Sequence, residues 1–325
     1  MTRPSANSRQ PLDTTSIRAA RGPRAQLAVD RPSAQLWEWE LSAARILVPT
    51  ATVFLTNREC PFTCVMCDLW KNTLTERVPL GAIPAQIDYA LRELSTPPPP
   101  QPLLQIKLYN SGNFFDPQAI PREDYPVIAK RVTTFETVIV ENHPRLCGDD
   151  CRRFRDLVSG QLEVAMGLET VHPEVLPQLN KQMTVDDFDR AAEFLLGCDI
   201  AVRAFVLLAP PFLESSAAEE WCLRSVAHAF EAGARVCSII PTRGGNGIME
   251  QLSAQRQFHP PQLTTLERVL ETTIGWQRGR VFADLWDAAR FSECEHCLLD
   301  RIRRIETMNQ TQQVPVPIHC SFCRE

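Results

Sequence analysis

Residues 60–67 read CPFTCVMC, and the chain runs on as DLWKN. Three thiols are spaced C-x3-C-x2-C, and no fourth follows nearby. Just upstream, ATVFLT (51–56) is a short β-branched, apolar run of the kind that forms a buried strand, so the thiols lie in the loop leaving that strand. Similar runs recur at LLQIKLY (103–109), TVIV (137–140), LEVAMGL (162–168), IAVRAFVLL (200–208) and ARVCSII (234–240). Between them, 80–94, 121–135, 149–159, 184–197 and 215–232 carry apolar residues at helical spacing. Such alternation predicts parallel βα units, because parallel strands need a crossover of helical length. The expected fold class is α/β, with six parallel strands in a sheet or partial barrel.

The chain has 325 residues, 44% hydrophobic and 22% charged, which suffices for a substantial core. A net charge of −5 gives no global attraction for nucleic acid. No uncharged apolar run reaches the roughly 18 residues of a membrane span, so no membrane partner is expected. Arg3, Arg9, Arg18, Arg21 and Arg24 are not followed by an apolar stretch, so a cytoplasmic location is expected over secretion. Residues 1–45 read as a flexible tail with a leading helix from about Ala34 to Arg45, and 46–250 as the βα core. The alternation stops after 250, leaving 251–325 as a helical extension with a helix over about 261–278. STPPPPQP (95–102) predicts a stiff surface linker.

In parallel α/β folds ligands gather at the C-terminal ends of strands, where Cys60, Cys64 and Cys67 fall. Three thiolates can hold three irons of a 4Fe-4S cluster and leave the fourth open, whereas a structural zinc takes four protein ligands. The plainer readings are a Cys64–Cys67 redox pair with a bystander, or incidental core cysteines. The spacing after the first strand of a βα array resembles the radical S-adenosylmethionine (SAM) superfamily. That resemblance implies a 4Fe-4S cluster on Cys60, Cys64 and Cys67, with SAM chelated to the open iron. It also implies an external electron donor of flavodoxin or ferredoxin type, and reductive cleavage of SAM to a 5'-deoxyadenosyl radical that abstracts hydrogen. Met66 stands where the family often has an aromatic.

Further motifs follow the other strands. In YNSGNFFDP (109–117), Gly112 permits close backbone approach, and Ser111, Gly112 and Asn113 match the family's SAM-amino loop without its usual acid. Phe114 and Phe115 suit inward packing. Glu169, at the end of a strand, suits a ribose or a nearby cation, with capping or salt-bridging as the plainer role. In NKQMT (180–184), Asn180 and Lys181 are candidates to line the site. Arg203, inside an apolar strand, needs an anionic partner: the SAM carboxylate, Glu169, or a structural ion pair. Glu141, His143 and Arg145 are candidate substrate contacts, although a lone histidine is more often structural. The Gly-rich loop IIPTRGGNGIMEQL (239–252) suits adenine or substrate, on a weak signal. No catalytic acid or base is assigned.

CEHC (294–297) and CSFC (320–323) place Cys294, Cys297, Cys320 and Cys323 in two C-x2-C pairs flanking a helical pattern. A closed zinc site is the first expectation and an auxiliary iron–sulfur cluster the second. SGNFFD, VAMGLET, LNKQMT, VLLAPPFLE and FHPPQL together resemble the archaeosine synthase radical SAM subunit, a relative of the catalytic Elongator subunit. By that resemblance the fold is a partial (βα)6 barrel with a C-terminal Cys-rich metal-binding extension. The resemblance implies C–N bond cleavage in a modified nucleoside of tRNA, as a lyase or transferase. The alternatives are radical modification of a small molecule or peptide, or a non-catalytic zinc-binding interaction protein.

Overall fold

The computed structural model describes residues 12–94 and 104–323, so the proline-rich linker expected at 95–102 lies outside the described residues. One sheet has strand order β1-β2-β3-β4-β5-β6-β7-β8. The strands are β1 (Ala34–Leu41), β2 (Leu47–Phe54), β3 (Gln105–Tyr109), β4 (Thr137–Asn142), β5 (Gln161–Glu169), β6 (Ala201–Leu208), β7 (Val236–Pro241) and β8 (Arg280–Ala283). β1 pairs antiparallel with β2, and all later neighbours pair in parallel. β2 to β7 are the six expected strands, and the fold is a partial parallel (βα)6 barrel with one added strand at each edge.

The helices are α1 (Thr14–Ala19), α2 (Ala82–Glu93), α3 (Tyr125–Arg131), α4 (Asp149–Leu157), α5 (Val175–Gln178), α6 (Val185–Gly197), α7 (Ala218–Glu231), α8 (Ile248–Ala254), α9 (Leu263–Gly275) and α10 (Glu295–Thr311). The apolar faces of α2, α3, α4, α6, α7 and α9 join the sheet in one core, where burial of each large side chain contributes about 1.5–3 kcal/mol. Among the described residues, no helix is long and apolar enough to cross a membrane.

Three expectations are corrected. Residues 34–41 form a strand and not a helix: Trp37-Glu38-Trp39-Glu40 alternates with period two, turning Glu38 toward Lys107 and the Trp37 indole toward the Leu94 carbonyl. The described part of the N-terminal tail, from residue 12, is packed: α1 buries Ile17 against Val65, Ile248, Met249, Leu252 and Phe258. The alternation also continues past 250, because α9 leads into β8, a strand short enough for its period to escape notice.

β1 completes a buried charge network on the concave face. Arg203 donates from Nε to Glu163 (2.6 Å) and from both terminal nitrogens to Glu40. β1 and β6 are not sheet neighbours, so the Glu40 pair crosses the concave face. Lys107 bridges Glu40 (2.7 Å) and Glu38 (2.8 Å), and Arg280 lies 3.6 Å from Glu163.

Candidate active site at the mouth of the partial barrel

The loop after β2 carries Cys60, Cys64 and Cys67 across the C-terminal end of the sheet, and contacts from four segments fix its course. The Val65 N–H donates to the Leu179 carbonyl (2.9 Å), and Asn180 Nδ2 donates to the Thr63 carbonyl (2.8 Å). The Asn246 amide reaches the carbonyls of Val65 (2.7 Å) and Cys67 (3.0 Å), and the Asn57 amide reaches the Asn110 carbonyl (2.9 Å). Thr14 of α1 shares a hydrogen bond with Thr63 (2.8 Å).

Asn246 was not singled out from the sequence. Its place in GGNG just before a helix is a capping signal, and its side-chain oxygen accepts from the Met249 N–H (3.0 Å). The Gly-rich loop expected to meet adenine or substrate packs at Gly247 on the N-terminal segment, where a Cβ would lie 1.8 Å from the Ala20 carbonyl oxygen.

The loop after β3 adjoins the first thiol. Asn113 Nδ2 donates to Cys60 Sγ (3.1 Å), and Gly112 faces Cys60. Phe114 and Phe115 anchor this loop in an aromatic cluster with Tyr125 and Phe154. Glu141, expected to face substrate, lies behind the loop and accepts from the N–H groups of Asn110 (2.6 Å) and Gly112 (3.2 Å). Burial outweighs those bonds and raises its carboxyl to about 7. The loop's backbone donors are thereby engaged from one side.

Glu169 finds its cation in Lys181, at 2.5 Å, with both side chains almost fully buried. The pair requires Gly167, where a Cβ would fall 2.0 Å from Glu169 Oε1 and 2.3 Å from Lys181 Nζ. Burial pushes the Cys64 thiol up to about 12 and also raises Cys60, with nearby Lys181 opposing the rise at both. Burial raises Cys67 as well. Such thiols ionise on binding a metal centre, releasing protons.

His143 and Arg145 are brought to the same rim, in fixed roles. His143 Nδ1 accepts from Arg145 N–H (3.1 Å), so Nε2 carries the proton and donates to the Lys181 carbonyl (3.0 Å). Its ring stacks on Phe62 at 3.8 Å, and burial lowers its pKa to about 3. Arg145 donates to the Gln182 carbonyl (3.0 Å). Arg203 is a correction. It pairs with Glu40 and Glu163 and not with Glu169, three residues before the Val206 that registers with Glu169, or about 10 Å deeper along the strand.

Left-handed φ values gather around these loops: Ser111 (50°), Glu169 (63°), Asn180 (50°), Gln182 (59°), Ala209 (56°) and Phe212 (70°). Each costs on the order of 1–3 kcal/mol and persists where surrounding contacts over-determine it, as at ligand sites. The β5–β6 register also shifts between Gly167 and Glu169. Beside Cys60 a cleft of about 620 Å³ opens, lined by Arg18, Arg21, Arg24, Arg58, Glu59 and Asp116 among others. Glu59 pairs with Arg21 and Arg24, which leaves the lining cationic although the chain is acidic.

The C-terminal thiols converge. Cys294 and Cys320 are 3.8 Å apart and Cys297 and Cys323 3.7 Å, and all four sulfurs lie within 4.8 Å of one another. Among the described residues this is the one such group, so Cys60, Cys64 and Cys67 are more widely spread. The wider set suits a cluster, in which each thiolate takes a different iron.

No family model matches the chain. Methylornithine synthase superposes on it with a TM-score of 0.52 at 11% identity, covering 90% of this chain and 80% of that one. An archaeal Elp3 from Methanocaldococcus infernus does so at 0.50 and 13% identity, covering 73% and 64%. The chain shares its fold with these two proteins. In sequence the chain is similar to archaeosine synthase subunit beta of Methanosarcina acetivorans, 26% identical over 233 residues and 68% of this chain. It spans 66% of that relative's length, just under two thirds.

Proposed function

We propose that the chain is a radical SAM enzyme in which Cys60, Cys64 and Cys67 hold three irons of a 4Fe-4S cluster and the fourth binds SAM. The supporting observation is a braced three-thiol loop at the mouth of a partial barrel, beside a buried Glu169–Lys181 pair. When bound and reduced, such a cluster supplies the electron that cleaves SAM to a 5'-deoxyadenosyl radical. Ser111, Gly112 and Asn113 receive the SAM amino group through their backbone, which Glu141 holds in place. Glu169 accepts from the ribose, and Lys181 supplies positive charge beside Cys60 and Cys64. An external flavodoxin- or ferredoxin-type donor provides the electron, and the cytoplasm provides the reducing setting.

The substrate class is a modified nucleoside in tRNA, with C–N cleavage as the reaction. The similarity to archaeosine synthase subunit beta and the cationic cleft beside Cys60 favour this over a small neutral molecule or peptide. With dithionite and SAM, the anaerobically reconstituted protein is expected to yield 5'-deoxyadenosine; its absence would overturn the reading. Arg18→Glu with Arg58→Glu should weaken tRNA binding and flatten its salt dependence while leaving SAM cleavage intact. Unchanged tRNA binding removes the tRNA assignment alone.

A further inference from the structure

The four C-terminal thiols stand where the sheet ends. β8 runs parallel to the barrel strands, so Ala283 leads into the mouth, and Cys294 then caps α10. Arg243, after β7, pairs with Asp284 and donates to the Trp286 carbonyl, which ties the last two loops together. After α10 the chain doubles back, and Arg304 donates to the carbonyls of Pro315 and Val316. The returning segment brings Cys320 and Cys323 to Cys294 and Cys297. None of residues 312–323 is buried, and Val316 and Phe322 are largely exposed. Apolar burial therefore contributes little to holding this segment along α10.

The sulfur spacing identifies what would fasten it. A tetrahedral ion with metal–sulfur bonds of about 2.3 Å places its thiolates roughly 3.8 Å apart. The two closest pairs match, at 3.8 and 3.7 Å, and no pair exceeds 4.8 Å. In a 4Fe-4S cluster all four thiolates sit on different irons, roughly 6 Å apart. In a 2Fe-2S cluster the cross pairs would be as wide, about 6 Å. Positive charge is already in place: Arg301, only 5% exposed, donates from Nε to Cys297 Sγ at 3.3 Å and is oriented by Glu267. Its Nη2 is buried with no partner, as suits a guanidinium facing an anionic centre.

We propose that Cys294, Cys297, Cys320 and Cys323 bind a single zinc ion in a closed tetrahedral thiolate site that fastens residues 312–323 along α10, and not an iron–sulfur cluster. This holds whether or not the distant triad carries a cluster. The full-length Cys60→Ala, Cys64→Ala, Cys67→Ala protein is expected to retain one zinc per chain without iron or acid-labile sulfide; iron with sulfide at these thiols would overturn the proposal. X-ray absorption at the zinc edge of the unmutated protein gives a check independent of that variant. Four sulfur neighbours near 2.3 Å support the site, and nitrogen or oxygen neighbours count against it. In Cys320→Ser with Cys323→Ser, zinc should be lost and amide exchange over 312–323 should quicken at least tenfold, with β5 unchanged. Retained zinc or unchanged tail protection would contradict the proposed role.

Discussion

Replacing Arg203 by methionine removes the cation that joins β1 to the middle of the barrel. The side chain is 2% exposed and makes charge-assisted bonds to Glu163 and, through two nitrogens, to Glu40. In the intact network three acids, Glu38, Glu40 and Glu163, face three cations, Lys107, Arg203 and Arg280. Methionine fills much of the volume but leaves one buried carboxylate in excess, which costs about 3–5 kcal/mol. Burial alone would raise the Glu40 pKa, yet Arg203 and Lys107 overcome it and hold the carboxyl far below the usual range. A depressed folded-state pKa contributes stability that is complete above the unfolded value near 4.5 and is lost as pH falls below it. In Arg203→Met that contribution shrinks, so acid unfolding should begin at a higher pH. Urea unfolding at pH 7 measures the loss, and SAM binding to the reconstituted protein should persist. A variant as stable as wild type, or one of full stability that no longer binds SAM, would refute the assignment of Arg203 to the scaffold.

Gly167→Ala drives a methyl group into the Glu169–Lys181 pair, and calorimetric SAM affinity should fall by about tenfold or more, some 1.4 kcal/mol. Gly247→Ala is strained twice, by a φ of 93° and by the clash with the Ala20 carbonyl, so limited proteolysis should cut within residues 12–33 far sooner than in wild type. The folded-state pKa of Glu141 is raised to about 7 from 4.5, so folded protein holds the proton longer, and wild-type stability should decline between those pH values. Glu141→Gln removes that decline, and denaturant unfolding at pH 8 should find the variant more stable by up to about 3 kcal/mol.

The strands that carry the site were readable because each is a compact apolar run followed by a helix with one apolar face. The thiol spacing was readable because its chemistry is local. Other features depend on partners distant in sequence. Glu38 and Glu40 look misplaced on an inward strand face until Lys107 and Arg203 meet them, and Arg203 could not be matched to Glu40, 163 residues away, by any local pattern. α1 offers one buried isoleucine, too little for periodicity, and owes its place to Thr63, Glu59 and the bare backbone of Gly247. Lys181 stood beside Asn180 as a candidate, but its partner Glu169 lies twelve residues away, and no local pattern marks the left-handed turn of Asn180 and Gln182 on either side of it.

The central claim is an iron centre on Cys60, Cys64 and Cys67 with one position open to SAM. The electron paramagnetic resonance spectrum of the anaerobically reconstituted, dithionite-reduced protein tests it most directly, recorded with and without SAM. A reduced-cluster signal that changes on adding SAM and is absent from Cys64→Ala is the predicted result. No cluster signal, or one that SAM leaves unchanged, would contradict the account.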